Sequence, residues 1–452
     1  MMKRRLSFSF WGFAVLALLL VVMIGLCMPD QGDVQLYLRA ARGTAAGKWP
    51  YSDFSLEYPP GALLAFLPPY VGALMGGDEG YFFAFALWGA FLTGIVALSL
   101  RRVLTLWKGP HAPEPTSTGR NIAALCIAMA WLITGRYDIF PATLTALSLW
   151  ALFGGRAAWA GVALGVAIAA KLYPVVFAPV FFGWLLGRSE KRAALAFGLA
   201  TTLTVFLCFL PFLLHSPQKL LSFVEYHRLR GIQVESGAAG IAMLLGHDNR
   251  VDLNYGAFHL DGSIPQFLLP QLTSIFPLAW LAALARTVVR FRRGASETAL
   301  IECAAGTLLL FMALNKVFSP QFMIWLIPFL PLLKPRWRVW GAPLFWITTW
   351  IFPFNYNQLL SGSGVAVLLL NLRNFGVLAL GLLLLWGSTR ADEEAERYER
   401  PGPGRASDGT PGALCKQAHG VRRAVCRKRA DRMARAHGGG NRPLAHRSRF
   451  VR

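Results

Sequence analysis

Long apolar runs recur along most of this chain, and they constrain its fold more than any other feature of the sequence. About twelve runs alternate with short polar connections, and in chain order they occupy residues 8–28, 81–100, 122–134, 139–153, 157–170, 172–186, 193–214, 264–289, 299–314, 317–333, 339–352 and 365–386. About 20 apolar residues in a helix span the hydrocarbon core of a bilayer, and shorter runs adapt by tilting or by using flanking residues. The pattern therefore predicts an all-α fold, a polytopic membrane helical bundle of about 12 transmembrane helices.

The scarcity of charge also indicates a bilayer as the surrounding medium. Charged residues make up 15% of the 452 and hydrophobic residues 55%, with a mean hydropathy of +0.45, whereas a soluble domain carries about 25% charged residues. The first run follows Lys3-Arg4-Arg5, and no small-residue cleavage site comes after it. We therefore expect a retained signal anchor and not a removed signal peptide.

The basic residues decide how the chain is threaded, because Lys and Arg collect in cytoplasmic loops. Four later loops are basic, at residues 101–108, 188–192, 286–293 and 334–338. If the apolar run 59–76 does not cross the membrane, these four loops lie on the same side as the N-terminal basic residues. Two Pro-Pro pairs within this run interrupt helical hydrogen bonding. We expect this run to form an outer interfacial helix within a first extracytoplasmic loop, 29–80. Both termini are then cytoplasmic, the large loop 215–263 is extracytoplasmic, and the predicted location is the plasma membrane.

With this topology, the polar residues that most need an explanation lie on the outer side. They are the carboxylates Asp33, Asp53, Glu57 and Asp138 and the basic residues Arg136, Lys171, His227, Arg228, Arg230 and Lys316. Positive charge on the outside opposes the usual bias, and ionisable groups at membrane-spanning segments usually have a functional reason. An anionic ligand at the outer leaflet would supply that reason.

Six short segments carry these polar residues in a recognisable order. They are Asp33-Val34-Gln35-Leu36-Tyr37, Glu57-Tyr58-Pro59-Pro60, Arg136-Tyr137-Asp138-Ile139-Phe140-Pro141, Lys171-Leu172-Tyr173-Pro174, the stretch from Tyr226 to Ser236, and Lys316-Val317-Phe318-Ser319-Pro320-Gln321. In this order they resemble glycosyltransferase family 87, which belongs to the C superfamily of membrane glycosyltransferases (GT-C) and includes polyprenol-phosphate-mannose-dependent α-1,2-mannosyltransferases. The resemblance implies a GT-C-like bundle over residues 1–388, a catalytic acid in the first extracytoplasmic loop and a polyprenyl-phosphate sugar as donor.

Transfer of a sugar requires few protein groups at these positions. A carboxylate can take the proton of an attacking acceptor hydroxyl, and cations can stabilise the departing phosphate. Asp33 is the candidate general base, because it follows the first apolar run closely and matches the family's catalytic acid by position. The resemblance also implies an inverting displacement. The candidate substrate-binding residues are Asp53, Glu57, Tyr58, Arg136, Asp138, Lys171, His227, Arg228, Arg230, Lys316 and Gln321.

Structural explanations for several of these residues remain open in the sequence. Asp33 also suits the cap of the helix that follows it, and Asp53 suits the local hydrogen bonds of a turn. Asp138 is also placed to form a buried pair with Arg136. Lys171 is placed to extend toward the membrane interface.

No cofactor and no metal site are predicted. The sequence contains no Walker-type glycine loop and no closely spaced pair of cysteines or histidines, and its cysteines predict neither disulfides nor zinc. A divalent cation that bridges a carboxylate to a phosphate is compatible with the sequence but is not required by it.

The C-terminal segment, residues 389–452, differs in composition from the rest. It is rich in Arg, Gly and Pro and poor in large apolar residues, so it predicts a disordered basic cytoplasmic tail. This tail contributes to the net charge of +22, and we predict no specific nucleic-acid partner. The expected partners are a polyprenyl-phosphate-sugar donor, a glycolipid or glycan acceptor and membrane lipids.

The leading interpretation is a membrane glycosyltransferase that moves a hexose, with mannose as the first candidate, to a glycolipid or cell-envelope glycan on the extracytoplasmic face. The alternative is a polytopic transporter or flippase of a lipid-linked sugar, although no internal repeat typical of transporters is evident. A third interpretation is an envelope assembly protein, which would not need so many outer acids and cations.

Overall fold

Helices dominate the computed structural model, which describes residues 10–27, 31–109, 116–246 and 248–387. The α-helices, α1 to α18 in chain order, are Phe10–Cys27, Gln31–Ala45, Leu63–Phe66, Tyr70–Lys108, Thr116–Ala128, Ala130–Gly135, Ile139–Phe153, Ala157–Ala170, Phe177–Gly187, Lys191–His215, Pro217–Leu220, Ser222–Leu229, Gly237–Leu245, Ser263–Arg293, Glu297–Leu314, Pro335–Thr349, Tyr356–Leu360 and Gly364–Trp386. 3-10 turns occupy Pro60–Ala62, Tyr173–Val176, Pro320–Leu326 and Leu330–Leu332, and a π-helical turn occupies Trp350–Phe354. The predicted basic tail, 389–452, lies outside the described residues.

Five of the described helices, α4, α10, α14, α15 and α18, are long and apolar enough to cross a membrane. The other predicted apolar runs also coincide with helical residues, but the helices there are shorter. The run 122–134 is divided between α5 and α6, and the run 317–333 is built largely of 3-10 turns. The fold is therefore mostly helical with several candidate spans, and the count of about twelve transmembrane helices stays a prediction.

Large apolar side chains cover the outer surface of two of these helices. Leu195, Leu199 and Leu203 of α10 are each more than half exposed, and their four-residue spacing puts them on one helix face. Leu278 and Leu281 of α14 are exposed in the same way. So much exposed apolar surface is unfavourable in water and is typical of helices that contact lipid.

The segment 59–76 is broken into short helical pieces. α4 is interrupted at Gly76 and Gly77, and Gly77 has a φ of +63°, which glycine adopts at little cost. A Cβ on Gly72 would lie 2.2 Å from the carbonyl oxygen of Gly80. The chain therefore folds back at this break and does not form one continuous spanning helix over 59–76. Its position along the membrane interface stays a prediction.

A small antiparallel sheet in the second large loop departs from the predicted all-α fold. Its strands are β1 (Ile232–Gln233), β2 (Arg250–Asn254) and β3 (Ala257–Asp261), in the order β1-β3-β2. Leu260 of β3 pairs with Ile232 on one side and with Val251 on the other. Tyr255 and Gly256 connect β2 to β3 with positive φ values, which is the geometry of a tight hairpin. The all-α prediction is wrong for these residues, because this turn and short alternating strands override the helical pattern locally.

α8 packs closely against α10 and against the first loop, and the second contact positions the loop beside Lys171. A Cβ on Gly161 of α8 would lie 2.4 Å from the carbonyl oxygen of Phe197 in α10, so only a glycine lets these helices approach so closely. A Cβ on Gly61 of the first loop would lie 2.6 Å from the carbonyl carbon of Ala169. The loop backbone therefore rests on the last turn of α8, directly before Lys171.

Candidate active site

Asp33 lies in the first turn of α2, and its carboxylate is ion-paired to a residue between α6 and α7. The Nε atom of Arg136 lies 2.9 Å from Asp33 Oδ2. The Arg136 side chain is 12% exposed and the Asp33 side chain is 27% exposed, so the pair is mostly buried but accessible to a ligand. An acid in a first turn also complements the helix dipole. A helix-stabilising role and a reactive role of Asp33 are therefore compatible.

The neighbouring acid, Asp138, pairs with Lys171 and not with Arg136. Asp138 is 1% exposed, and its Oδ1 accepts hydrogen bonds from Lys171 Nζ at 2.8 Å and from Trp325 Nε1 at 2.6 Å. α7 begins directly after Asp138, and α8 ends directly before Lys171. The Asp138–Arg136 pairing that the sequence left open is therefore wrong, because the two side chains reach different partners.

Aromatic rings surround the Lys171 ammonium. Its Nζ lies 4.7 Å from the centre of the Tyr137 ring and 5.6 Å from the centre of the Trp325 ring, within the range of cation–π attraction. Trp325 in turn stacks on Tyr173, with 3.9 Å between ring centres. The Lys171 side chain is 17% exposed, so it is held at the site and does not extend freely toward an interface.

Asp53 and Glu57 have different surroundings in the first loop. Asp53 Oδ2 accepts a hydrogen bond from the backbone N–H of Trp49 at 2.7 Å, which is the local turn interaction that the sequence suggested. Glu57 is half-buried, and burial and the charge of Asp33 raise the pKa of its carboxyl, although Arg230 opposes the shift. Glu57 therefore lies within electrostatic reach of both Asp33 and Arg230, and it links the first loop to the second.

Tyr58 belongs to an aromatic cluster next to Asp33. Its ring packs edge-on against Tyr137, with 5.0 Å between centres, and Tyr37 stacks on Phe66 at 4.5 Å in the same cluster. The hydroxyl of Tyr51 donates a hydrogen bond to the backbone carbonyl of Tyr58 at 2.6 Å. These contacts give Tyr58 a fixed orientation and form a rigid aromatic wall beside α2.

The second large loop brings three basic residues to the site from the end of α12. Arg228 is largely exposed, and its 3.5 Å pair with Glu225 is also exposed, so that pair holds it weakly. His227 is half-buried, and burial, Arg230 and Lys171 lower the pKa of its imidazole to about 4. His227 is therefore neutral near pH 7, and the positive charge of this cluster comes from the two arginines.

Acidification is expected to destabilise the second loop. Burial and Arg230 also lower the pKa of His259 in β3 to about 4, so His227 and His259 bind protons more weakly in the folded state than at the ordinary value of 6.5. The neutral imidazoles contribute fully to the free energy of unfolding above pH 6.5. This contribution is lost as the pH falls from 6.5 through about 4, by at most about 1.4 kcal/mol per pH unit for each imidazole. Thermal unfolding of wild type and of His227→Gln/His259→Gln between pH 7.5 and 4.5 measures this. Equal pH slopes in the two proteins would contradict it.

Lys316 holds the arginine-bearing segment in place. Its Nζ donates hydrogen bonds to the backbone carbonyl of Arg228, at 2.8 Å, and to that of Arg230. Burial and the charge of Arg230 lower the pKa of the Lys316 ammonium. Gln321 lies on the following 3-10 turn and is half-buried. The geometry therefore gives Lys316 a positioning role in addition to the substrate contact that the sequence predicted.

Replacement of Lys316 by Met is expected to loosen the segment 228–230. Two charge-assisted hydrogen bonds are lost, at about 1.5–3 kcal/mol each, so the melting temperature should fall and the KM for the substrate should rise more than kcat falls. Lys316→Arg keeps a charged donor and should recover part of both losses. If Lys316→Met leaves the melting temperature unchanged and abolishes donor binding, the ammonium contacts the substrate directly and does not act through the loop.

The buried polar contacts of Glu235 with Tyr356 and Arg373 were not predicted from the sequence. Glu235 is 2% exposed, and its Oε1 accepts a hydrogen bond from the Tyr356 hydroxyl at 2.7 Å. Arg373 of α18 is 1% exposed, donates to the Glu235 backbone carbonyl at 2.7 Å and lies 3.9 Å from the centre of the Phe318 ring. A charged residue inside the last apolar run was the available signal, since such residues usually serve a site or its support.

No set of metal ligands is evident among the residues that the structure describes. Within residues 10–27, 31–109, 116–246 and 248–387, no group of three or more His, Cys, Asp and Glu side chains is arranged to hold an ion. Asp33 and Asp138 are instead paired with basic residues, and Asp53 accepts from a backbone N–H group.

Acidic and basic side chains thus meet beside an aromatic wall in a mostly helical membrane protein. A family model described as Glycosyltransferase family 87 matches residues 56–320, which is more than half of the 452 residues. The chain is therefore a multi-pass membrane glycosyltransferase. It belongs to glycosyltransferase family 87.

Two individual proteins are similar to the chain at a greater distance. GPI mannosyltransferase 1 from Aspergillus oryzae (strain ATCC 42149 / RIB 40) is 24% identical over 355 residues, which cover 70% of this chain and 76% of that protein. The solved structure titled "Crystal Structure of ArnT from Cupriavidus metallidurans bound to Undecaprenyl phosphate" is 17% identical, with a TM-score of 0.45 over 88% of this chain and 82% of the other. A structural similarity at that level identifies neither a ligand nor a site in this chain.

The family match covers most of the candidate residues but not all of them. Glu57, Tyr58 and the candidates from Arg136 to Lys316 lie within residues 56–320, whereas Asp33, Asp53 and Gln321 lie outside. The role of Asp33 therefore depends on its position beside Arg136 and Glu57.

Proposed function

We propose that this protein transfers a hexose, with mannose as the first candidate, from a polyprenyl-phosphate donor to a glycolipid or cell-envelope glycan. The observation that carries the proposal is the Asp33–Arg136 ion pair, with Nε and Oδ2 2.9 Å apart, beside Glu57 and the basic residues of the second loop. Membership of glycosyltransferase family 87 supports the reaction class. The name of the relative GPI mannosyltransferase 1 supports mannose.

In the proposed reaction, Asp33 is the general base. The acceptor hydroxyl oxygen forms a bond to the anomeric carbon of the donor sugar and gives its proton to the Asp33 carboxylate. The bond between that carbon and the phosphate oxygen breaks on the opposite face, and the phosphate leaves with the electron pair. The product anomer is inverted, and no covalent enzyme intermediate forms.

Basic side chains stabilise the charge that develops on the leaving phosphate. Arg230 and Lys171 both contribute positive charge that acts on His227, and the Lys171 ammonium lies 4.7 Å from the centre of the Tyr137 ring in the aromatic cluster. Preorganised cations in a site with little water stabilise a leaving anion more than exposed cations do. Arg136 can exchange its contact with Asp33 for a phosphate oxygen, which would release the carboxylate for proton transfer.

We assign this site to the extracytoplasmic side of the plasma membrane. α14 begins beside the second loop at Ser263 and ends with Arg290, Arg292 and Arg293 in its last turn. Its 31 residues correspond to about 46 Å at 1.5 Å per residue, a length that supports a basic end and a candidate site on opposite sides of a bilayer. The positive-inside rule puts the basic end in the cytoplasm. Together with the predicted number of about twelve spans, this orientation also puts both termini in the cytoplasm.

A donor panel tests the proposed function. Membranes that contain the protein are incubated with radiolabelled polyprenyl-phosphate mannose, glucose or arabinose, and the labelled lipids and glycans are separated. Transfer from one donor, with inverted configuration in the product by NMR, supports the transferase and identifies its sugar. If label crosses the membrane without covalent transfer, the transporter or flippase alternative replaces this proposal.

A further inference from the structure

A groove beside α2 is lined in part by the candidate residues Asp53, Glu57 and Tyr58, and the proposed reaction assigns no ligand to it. It has a volume of about 430 Å³ and runs between α2 and the chain from Lys48 to Tyr58. Binding sites for small polar molecules commonly have volumes of about 300–1,000 Å³, so one or two sugar rings fit. Leu36 and Glu57 line the groove, and Leu36 follows Asp33 by three residues in α2, so the side chains of Leu36 and Asp33 lie on the same side of the helix. The groove therefore leads to the proposed base.

The local sequence explains the shape of the groove. α2 carries the small residues Ala40, Gly43 and Ala46 along the face that lines it, because a spacing of three to four residues keeps side chains on one side of a helix. A Cβ on Gly43 would lie 3.0 Å from the Phe54 ring. A larger side chain there would push Phe54 into the groove, so the small residues keep it open.

Basic side chains form the rim. Arg39, Arg42 and Lys48 line the groove and are exposed. Arg42 Nη2 lies 2.7 Å from Asp78 Oδ1, but both side chains are more than half exposed, and exposed pairs are weak enough to exchange partners. The acid Asp53 also lines the groove, but its Oδ2 is engaged by the Trp49 N–H.

We infer that this groove binds the acceptor and selects one that carries a phosphate or carboxylate group. The inference rests on the proposed transferase function and extends it to the class of acceptor. A sugar ring of the acceptor lies on the apolar floor with its reactive hydroxyl toward Glu57 and Asp33. Its anionic group lies on the basic rim, where guanidinium groups bind phosphate and carboxylate oxygens in pairs. Such an anion can belong to a lipid headgroup or to a soluble glycan.

Direct binding to the full chain in neutral detergent tests this inference. The probes are phosphatidylglycerol and mannose 6-phosphate, each compared with an uncharged or zwitterionic partner, phosphatidylcholine or mannose. We expect the anionic probe to bind about tenfold more tightly than its partner, and Arg39→Gln/Arg42→Gln/Lys48→Gln to remove that preference. If only phosphatidylglycerol binds more tightly than its partner, the ligand of the groove is a lipid headgroup. If mannose 6-phosphate does so as well, the ligand is a sugar phosphate of a lipid or of a soluble glycan.

Two control variants separate the groove from other basic sites. Arg250→Gln removes an exposed charge from β2, outside the groove, and should bind the anionic probes like wild type. Arg230→Gln removes charge from the proposed donor site and should also keep the preference. The inference fails if the triple variant binds like wild type, or if Arg230→Gln is the variant that loses the preference.

The same variants separate a failure of the groove from a failure of the proposed function. If no donor supports transfer but the triple variant loses anion binding, the groove is an anion site and the transferase proposal fails. If transfer occurs and the triple variant keeps the wild-type KM for an anionic acceptor, the function stands and the acceptor inference is overturned.

Discussion

Asp33→Asn is expected to reduce kcat by about 10²–10⁴, which is the usual contribution of a positioned general base. The amide keeps the size of the side chain but cannot accept the proton of the acceptor hydroxyl. Donor affinity should stay the same or increase, because Arg136 loses its 2.9 Å carboxylate partner and becomes available to phosphate. The measurement is transfer of radiolabel from polyprenyl-phosphate-mannose, together with binding of the donor to the purified variant.

A matched acid in the same loop provides the control. Asp53 is more exposed than Asp33, and its carboxylate is engaged by the Trp49 N–H. The amide oxygen of asparagine still accepts from the Trp49 N–H, so Asp53→Asn should keep most of the activity and lower stability by less than about 1 kcal/mol. If Asp33→Asn and Asp53→Asn transfer label equally well, Asp33 is not the base. Glu57, which lies within electrostatic reach of Asp33, then becomes the candidate to test.

The helical runs and the order of the charged residues could be read from the sequence, because hydropathy and the positive-inside bias act locally along the chain. The partners of the charges could not. Arg136 and Asp138 are two residues apart, yet one pairs with Asp33 and the other with Lys171. This choice depends on how α2, α7 and α8 pack, and sequence spacing carries no information about it.

Two features were not predicted from the sequence: the distant partners of Glu235 and a short local hairpin. Glu235 is bonded to Tyr356 and Arg373, which follow it by 121 and 138 positions. The sheet that holds His259 depends on the two-residue turn at Tyr255 and Gly256 inside a segment that the sequence analysis treated as a loop. The partners of Glu235 therefore lie outside any local window of sequence, whereas β2 and β3 pair locally and were missed because their short hairpin was not recognised.

Asp138→Asn is the second substitution with a large expected effect, and the effect is on stability. Removal of one partner of a buried ion pair costs about 3–5 kcal/mol, because the remaining charge stays buried without compensation. Asp138 is 1% exposed, and the Lys171 ammonium lies 2.8 Å from its Oδ1. Thermal unfolding of the variant in detergent, followed by tryptophan fluorescence, should show a clearly lower melting temperature than wild type.

Two companion variants show whether the charge pair is responsible. Trp325→Phe removes the 2.6 Å hydrogen bond to Asp138 Oδ1 but keeps an aromatic ring, so it should cost about 1–3 kcal/mol. Asp138→Asn combined with Lys171→Met removes both charges and should be more stable than Asp138→Asn alone, because the isolated cation has gone. If Asp138→Asn unfolds like wild type but transfers no label, Asp138 acts on the substrate. The Asp138–Lys171 pair is then not required for stability, and Lys171 becomes the stronger candidate for contact with the donor phosphate.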